Sequence, residues 1–317
     1  MFTKYFKVTL SISIIIIVIG IICMAAFGGL NLGIDFTGGS LTTVDIKTEY
    51  DTDVIREVLA ANDAADAPVV KTGTGFTEAE FRMRDVGDDE LQATVTERVM
   101  TGIQETYPDA ELVSVDRVGA VTSSDLVKNA LLAVVVACLL MLVYIWIRFE
   151  LYSGIAAVIA LAHDVMIMIS VVAIVQLQIN SGFIAACLTI VGYSINNTIV
   201  IFDRIRDNRK TLKAKYLSYD ELANVSIKET LSRTINTSVT TLIMIVCLYV
   251  FGVDSIKEFS LPIIVGLVAG TYSSVFLSAP IWAKFMAWAD NRKKTGTTAS
   301  KKNKNGKSGK KASKAKA

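Results

Sequence analysis

Gly192-Tyr193-Ser194-Ile195-Asn196-Asn197-Thr198-Ile199-Val200-Ile201-Phe202-Asp203-Arg204-Ile205-Arg206 is the stretch on which the reading of this chain turns. It continues an apolar run from Phe183 that reads as a membrane helix over 183–202, yet it carries two adjacent amides in its second half. An amide in hydrocarbon has no water to satisfy it, so it needs a protein partner or a wet path. Polar groups at that depth are functional candidates for the same reason. The charged exit, Asp203, Arg204 and Arg206, assigns this end of the helix to the cytoplasmic side.

Working outward, the whole chain of 317 residues is 52% hydrophobic. Its mean hydropathy of +0.48 belongs to the membrane class. The net charge of +2 conceals a segregation, with twenty Asp/Glu against seven Lys/Arg in 31–127, and eleven Lys/Arg against Asp290 alone in 290–317. Cys23, Cys138, Cys187 and Cys247 all lie in apolar runs without metal-ligand spacing, so they read as small core hydrophobes and no metal site is expected.

Five more runs complete the set of membrane helices: 8–29, 129–147, 154–175, 237–252 and 259–285. A run of 20 residues rises about 30 Å, enough to cross a bilayer core. The first run is preceded by Lys4 and Lys7 and followed by no small-residue cleavage site, which predicts a retained anchor rather than a signal peptide. Basic residues recur at the N-terminus, at Arg148, in a 203–233 segment with eight Lys/Arg, and in the 290–317 tail. The turns between the other ends are poor in them. Positive charge therefore predicts six spans with both termini in the cytoplasm. Residues 203–233 read as cytoplasmic amphipathic helices lying along the membrane, and the Lys/Ser/Gly/Ala-rich tail as disordered and suited to anionic lipid, with nothing in it that suggests sequence-specific nucleic-acid binding.

Residues 31–127 form a polar unit on the opposite side. A glycine-rich stretch containing Gly38 and Gly39 precedes an alternating strand at 40–47, a helical pattern at 52–62, strands at 68–71 and 79–83, a longer helix at 88–107 and a last strand at 111–118. That order is the split β-α-β ferredoxin-like arrangement. The glycines lack the Gly-Lys-Ser/Thr ending of a phosphate loop and read as turns and close packing.

Within the spans, Asp164 falls roughly 15–20 Å from the inner end of the third. An ionised carboxylate there costs at least ~3 kcal/mol, so it is paired, hydrated or protonated, as part of an ion path or as a structural hydrogen bond to a neighbouring helix. His163, the one histidine, points about 100° away from it, so the two are not expected to face one path and the imidazole reads as a structural bond donor. Gly192, Asn196 and Asp203 share one stripe of the fourth span, with Asn197 beside them. Arg233, Thr237, Thr240 and Thr241 share one of the fifth, although Arg233 also sits where it can snorkel to lipid phosphate. The two stripes are expected to face each other inside the bundle. Gly266, Gly270 and Ser274 form a small-residue ridge on the sixth span.

Gly33-Ile34-Asp35-Phe36-Thr37-Gly38-Gly39, Arg148-Phe149-Glu150, His163-Asp164-Val165, Gly192-Tyr193-Ser194-Ile195-Asn196, Ile201-Phe202-Asp203-Arg204-Ile205-Arg206 and Ser232-Arg233-Thr234 with Thr237-Ser238 together resemble the SecF half of the bacterial SecD/SecF protein-export family, over residues 1 to about 290. The resemblance implies an α-helical membrane protein: six helices forming half of a resistance-nodulation-division type core, with an inserted α+β ferredoxin-like domain outside the bacterial plasma membrane. It implies SecD and the SecYEG channel as partners and a pre-protein as cargo, moved by an ion gradient without ATP, chemical catalysis or a cofactor.

In proton-coupled members of the family the position of Asn197 is an aspartate of the ion relay, whereas an amide cannot carry a proton. Arg233 matches the family's relay arginine. The expectation is that Asp164, with a partner carboxylate, carries the coupling, and that Asn196, Asn197, Arg233 and Thr237 line its surroundings. The opposed reading is a scaffold half. A small-molecule exporter is disfavoured because one half lacks the second repeat such transporters need. An intramembrane hydrolase is disfavoured because Gly192-x-Ser194-x-Asn196 is not a nucleophile elbow.

Overall fold

The computed structural model describes residues 2–292 apart from 63, 66, 74 and 212–216. Six helices are long and apolar enough to cross a membrane. They are α1 (Phe6–Ala26), α5 (Ala120–Arg148), α6 (Leu151–Val175), α7 (Ser181–Arg209), α8 (Tyr219–Phe251) and α9 (Asp254–Ser273). The last passes through one π turn, Ser274–Ser278, and continues as α-helix over 279–292. Between α1 and α5 lie a single-turn helix α2 (Ile34–Thr37), β1 (Gly39–Asp45), α3 (Thr52–Ala61), β2 (Val69–Thr72), β3 (Glu78–Met83), α4 (Asp89–Thr106) and β4 (Glu111–Val118).

The four strands order β2-β3-β1-β4, all neighbours antiparallel, as the ferredoxin-like reading requires. One face of the sheet supplies Val44, Phe81 and Met83 to a core with Ile55 and Leu59 of α3 and Val99 and Ile103 of α4. Local chemistry sets the helix starts. Asp51 accepts the Asp53 amide at 3.0 Å, and Asp88 accepts that of Glu90 at 2.9 Å, each satisfying donors that have no partner within the helix. Gly38 (φ 71°) and Gly39 (φ 119°) turn the chain from α2 into β1. A Cβ on Gly39 would lie 2.3 Å from the Met83 carbonyl oxygen, so only glycine lets β1 approach β3 there.

Two expectations change. The described parts of 203–233 are not separate helices: α7 runs unbroken to Arg209 and α8 begins at Tyr219, while 212–216 lie outside the described residues. The Ser218–Glu221 capping box starts α8 well ahead of its apolar part, because a capped helix propagates through polar residues as readily as apolar ones. The second span likewise starts nine residues before its expected boundary at 129, since α5 follows β4 after Gly119 alone.

The ferredoxin-like domain is tied to the α6–α7 turn. Gly33 N–H donates to the Ile179 carbonyl at 2.7 Å and Ile179 N–H to that of Asn31 at 2.7 Å. Asp35 accepts from the Ser181 amide at 2.7 Å, at the start of α7. Along the membrane, α5 stands off α6 and α7 over an apolar crevice of about 770 Å³. It closes onto them at its inner end through Ile145, which is 2% exposed.

Candidate functional site

Asp164 is wholly enclosed, at 0% exposure, where α6, α7 and α9 meet. Its Oδ2 accepts from the Ser273 hydroxyl at 2.8 Å and from the Ser194 hydroxyl, while Oδ1 faces His163 Nδ1 at 2.9 Å. The other imidazole nitrogen, Nε2, lies 2.7 Å from Ser13 Oγ on α1. Ser13 in turn meets the Tyr272 hydroxyl, which donates to the Thr9 carbonyl at 2.7 Å. A buried carboxylate thus has its partners supplied from three helices, α6, α7 and α9, with α1 joined through His163, which is what a low-dielectric site demands.

Small residues permit this convergence. A Cβ on Gly270 would lie 3.0 Å from that of Ser194, and one on Gly20 would lie 2.4 Å from that of Ser170. Gly266 packs in the same way against Ile190, so Gly266 and Gly270 seat α9 on α7. Ser274, the third member of the ridge, meets Thr198 Oγ1 at 2.9 Å. It opens the π turn immediately after Ser273, a local widening of a kind often found at functional sites.

The adjacency argument against His163 and Asp164 sharing a path is therefore overturned. Their Cα–Cβ bonds diverge by about 100°. The imidazole nevertheless bends back so that Nδ1 reaches the carboxylate while Nε2 faces α1. His163 makes structural hydrogen bonds as expected, but they belong to the network of Asp164.

The two polar stripes do not face each other inside the bundle. Gly192 and Asn196 on α7, and Arg233, Thr237 and Thr240 on α8, are exposed on the chain's own surface. The buried α7–α8 contact is made one residue further round, where the Asn197 amide donates to Ser238 Oγ at 3.4 Å and Thr271 donates to the same oxygen at 2.7 Å. Towards the inner end Arg204 pairs with Glu229 at 2.7 Å, and Asn208 donates to Ser226 at 3.0 Å and to Glu229 at 2.7 Å. Arg204 lies two turns from Asn196, and Glu229 one turn from Arg233. The stripes therefore run side by side along one open polar seam. Asp203 sits at the end of that region between Arg148 at 3.0 Å and Arg206 at 3.2 Å.

Comparison with known proteins adds the decisive observation. A family model described as "Protein export membrane protein SecD/SecF, C-terminal" matches residues 97–288, and one described as "SecD/SecF GG Motif" matches residues 26–49. The chain belongs to the SecD/SecF family. Its matched glycine motif is the Asn31–Gly39 region that docks on the α6–α7 turn. Among curated relatives, the protein translocase subunit SecF of Rhodothermus marinus is 40% identical over 85% of this chain and 88% of its own length. That of Rickettsia felis is 36% identical over 92% and 94%. Among solved structures, SecDF of Thermus thermophilus, described as a translocon-associated membrane protein, superposes with a TM-score of 0.79 at 32% identity over 91% of this chain. A SecDF in a super-membrane-facing form gives 0.62 at 31% identity. This SecD/SecF chain spans only 38% of the first of those solved chains.

Sequence reasoning missed Ser13, Ser194, Ser273 and Tyr272. A serine inside an apolar helix was a signal that could have found the first three, but five helices offer many such serines and only the packing selects these and Tyr272.

Proposed function

We propose that this chain is a SecF-type accessory subunit of the Sec protein translocase. With a SecD half it uses an ion gradient to draw pre-proteins outward through SecYEG and release them. The observation that carries the reading is the buried Asp164, bonded to the inward side of α7 at Ser194, while the opposite side of α7 presents an open polar seam at Gly192 and Asn196. The partners of Asp164 among the described residues are two hydroxyls and an imidazole. The seam of Asn196, Thr237 and Arg233 is polar surface in the membrane region, which requires cover. A SecD half is the natural cover, since the related SecDF chains are more than twice as long as this one. In this reading both termini are cytoplasmic, the ferredoxin-like domain lies outside the bacterial plasma membrane, and the basic tail rests on anionic lipid.

The second reading is a scaffold half with no ion path. It is favoured by Asn197, an amide where the relay carboxylate is expected, and by the complete enclosure of Asp164. The test is substrate release by this chain co-reconstituted with its SecD and SecYEG under a proton gradient alone or a sodium gradient alone. Loss of gradient-driven release in Asp164→Asn, with assembly intact, supports the ion path. Retention of release in that variant rejects it and leaves the scaffold.

A further inference from the structure

Ser13, His163 and Asp164 are linked end to end: Ser13 Oγ to Nε2 at 2.7 Å, Nδ1 to Oδ1 at 2.9 Å. All three are buried, at 1%, 6% and 0% exposure. From this we infer that His163 is a proton-accepting positioning residue beside Asp164, and that Ser13 hands its change of state to α1. The inference deepens the ion-path reading above and rests on it.

With a carboxylate and a neutral imidazole, Nδ1–H donates to Asp164 and Nε2 accepts from the Ser13 hydroxyl. Ser13 then accepts from Tyr272. When one proton arrives it binds Nε2, which becomes a donor, and Ser13 must accept from it. The Ser13 hydrogen then turns to the Thr9 carbonyl, 3.1 Å away, or to the Tyr272 oxygen. Tyr272, released as donor to Ser13, turns its single hydrogen to the Thr9 carbonyl, 2.7 Å away. No covalent bond other than N–H forms, and no donor is left unpaired in either state. A single proton thereby reverses the polarity of the contact between α6 and α1 and loads the α1 carbonyl of Thr9.

The surroundings favour this exchange. The groups from every packed element that face the imidazole are Ser13 from α1, Asp164 from α6 itself, and Tyr272 from α9, whose ring centroid is 5.7 Å away. From α7, among the described residues, Ser194 enters through Asp164. The carboxylate is thus the imidazole's charged neighbour. The hydroxyls accommodate either direction of hydrogen bond. The α1–α6 contact is also tight, with Gly20 against Ser170, so a changed hydrogen bond at Ser13 acts on a helix that cannot simply slide away. That helix leads directly into the glycine motif that anchors the outer domain.

Because the chain has one histidine, its imidazole is observable without ambiguity. The test is 15N NMR of histidine-labelled full-length chain with its SecD partner in lipid bilayers, between about pH 5 and 9, alongside the pH profile of gradient-driven release. The expected result is a titrating imidazole whose midpoint shifts at least tenfold in proton concentration in Ser13→Ala, with the release profile moving in the same direction. A wild-type imidazole spectrum that stays flat over this range overturns the inference, as does a release profile unmoved in Ser13→Ala. If Asp164→Asn abolishes release while the wild-type imidazole is flat, the ion-path reading survives and this inference falls. If Asp164→Asn leaves release intact, the ion-path reading falls whatever the imidazole does.

Discussion

The carboxylate of Asp85, in the loop after β3, accepts the backbone N–H of Ala120 at 2.9 Å, so a residue of the ferredoxin-like domain caps the first long helix after it, α5. The N-cap position of α5 is Gly119, which has no side chain to do this. Asp85 also accepts from Gly87 N–H at 3.2 Å and lies 3.7 Å from Arg117. Removing the cap in Asp85→Ala should cost about 1 kcal/mol at this joint. Amide hydrogen exchange over 118–124 should accelerate roughly fivefold, while exchange in β1 and β3 stays unchanged.

The same bonds hold the Asp85 carboxyl below its ordinary range, chiefly the Ala120 amide, then that of Gly87, with Arg117 adding to them. A group depressed in the folded state stabilises at pH above its unfolded value, about 3.9, and that contribution disappears as pH falls through the lower folded value. The joint should therefore loosen only in acid, below about pH 4. Exchange measured from neutral to acid pH should show the onset in wild type and none in Asp85→Asn.

Gly38 and Gly39 should not tolerate substitution equally. Both have positive φ, so alanine at either costs roughly 1–3 kcal/mol of backbone strain. At Gly38 the nearest heavy atom to a new Cβ is 3.4 Å away, an ordinary contact, whereas at Gly39 it is the Met83 carbonyl oxygen at 2.3 Å. Gly39→Ala should lower the unfolding temperature of the outer domain clearly more than Gly38→Ala. Equal losses would mean that strain alone decides.

Asp203 carries two arginines, Arg148 on α5 and Arg206 on its own helix. These side chains are each about a third exposed, so the coupling between Arg148 and Asp203 should be modest, about 0.5–1 kcal/mol in a double-mutant cycle. Asp203→Asn alone should cost more than Arg148→Gln alone, because it leaves two cations facing each other.

Arg233 is exposed on the open seam, so its loss leaves this chain's own core untouched. Arg233→Glu should change the thermal stability of the isolated chain by no more than about 0.5 kcal/mol while sharply reducing co-purification with SecD. Unchanged co-purification would exclude the seam as the SecD-facing surface.

Asn197 is 2% exposed and donates to Ser238, whose hydroxyl can rotate to donate instead. Asn197→Asp should therefore fold and assemble, and should add a second titrating step to the pH profile of gradient-driven release. A profile identical to wild type would show that this position is outside the ion path.

Much of this architecture is determined by sequence alone. Six apolar runs must become six helices because backbone groups in hydrocarbon can be satisfied only within the segment. The outer domain follows from its order of alternating and helical patterns, with β4 at 111–118 legible to the residue. Asp164 is conspicuous as a charge in an apolar run. What the sequence could not decide is which side of each helix faces protein. In a membrane both the lipid face and the packed face are apolar, so the period that orients a soluble amphipathic helix carries little signal. The stripes of Asn196 and of Arg233 with Thr237 were visible as stripes, yet only packing placed them on the open seam and turned Asn197 inward. The bond from His163 back to Asp164, and its other bond to Ser13 across 150 residues of chain, depend on side-chain torsions and on close helix approach at Gly20 and Gly270. Such contacts join residues that are distant in the chain, and only the tertiary structure brings them together.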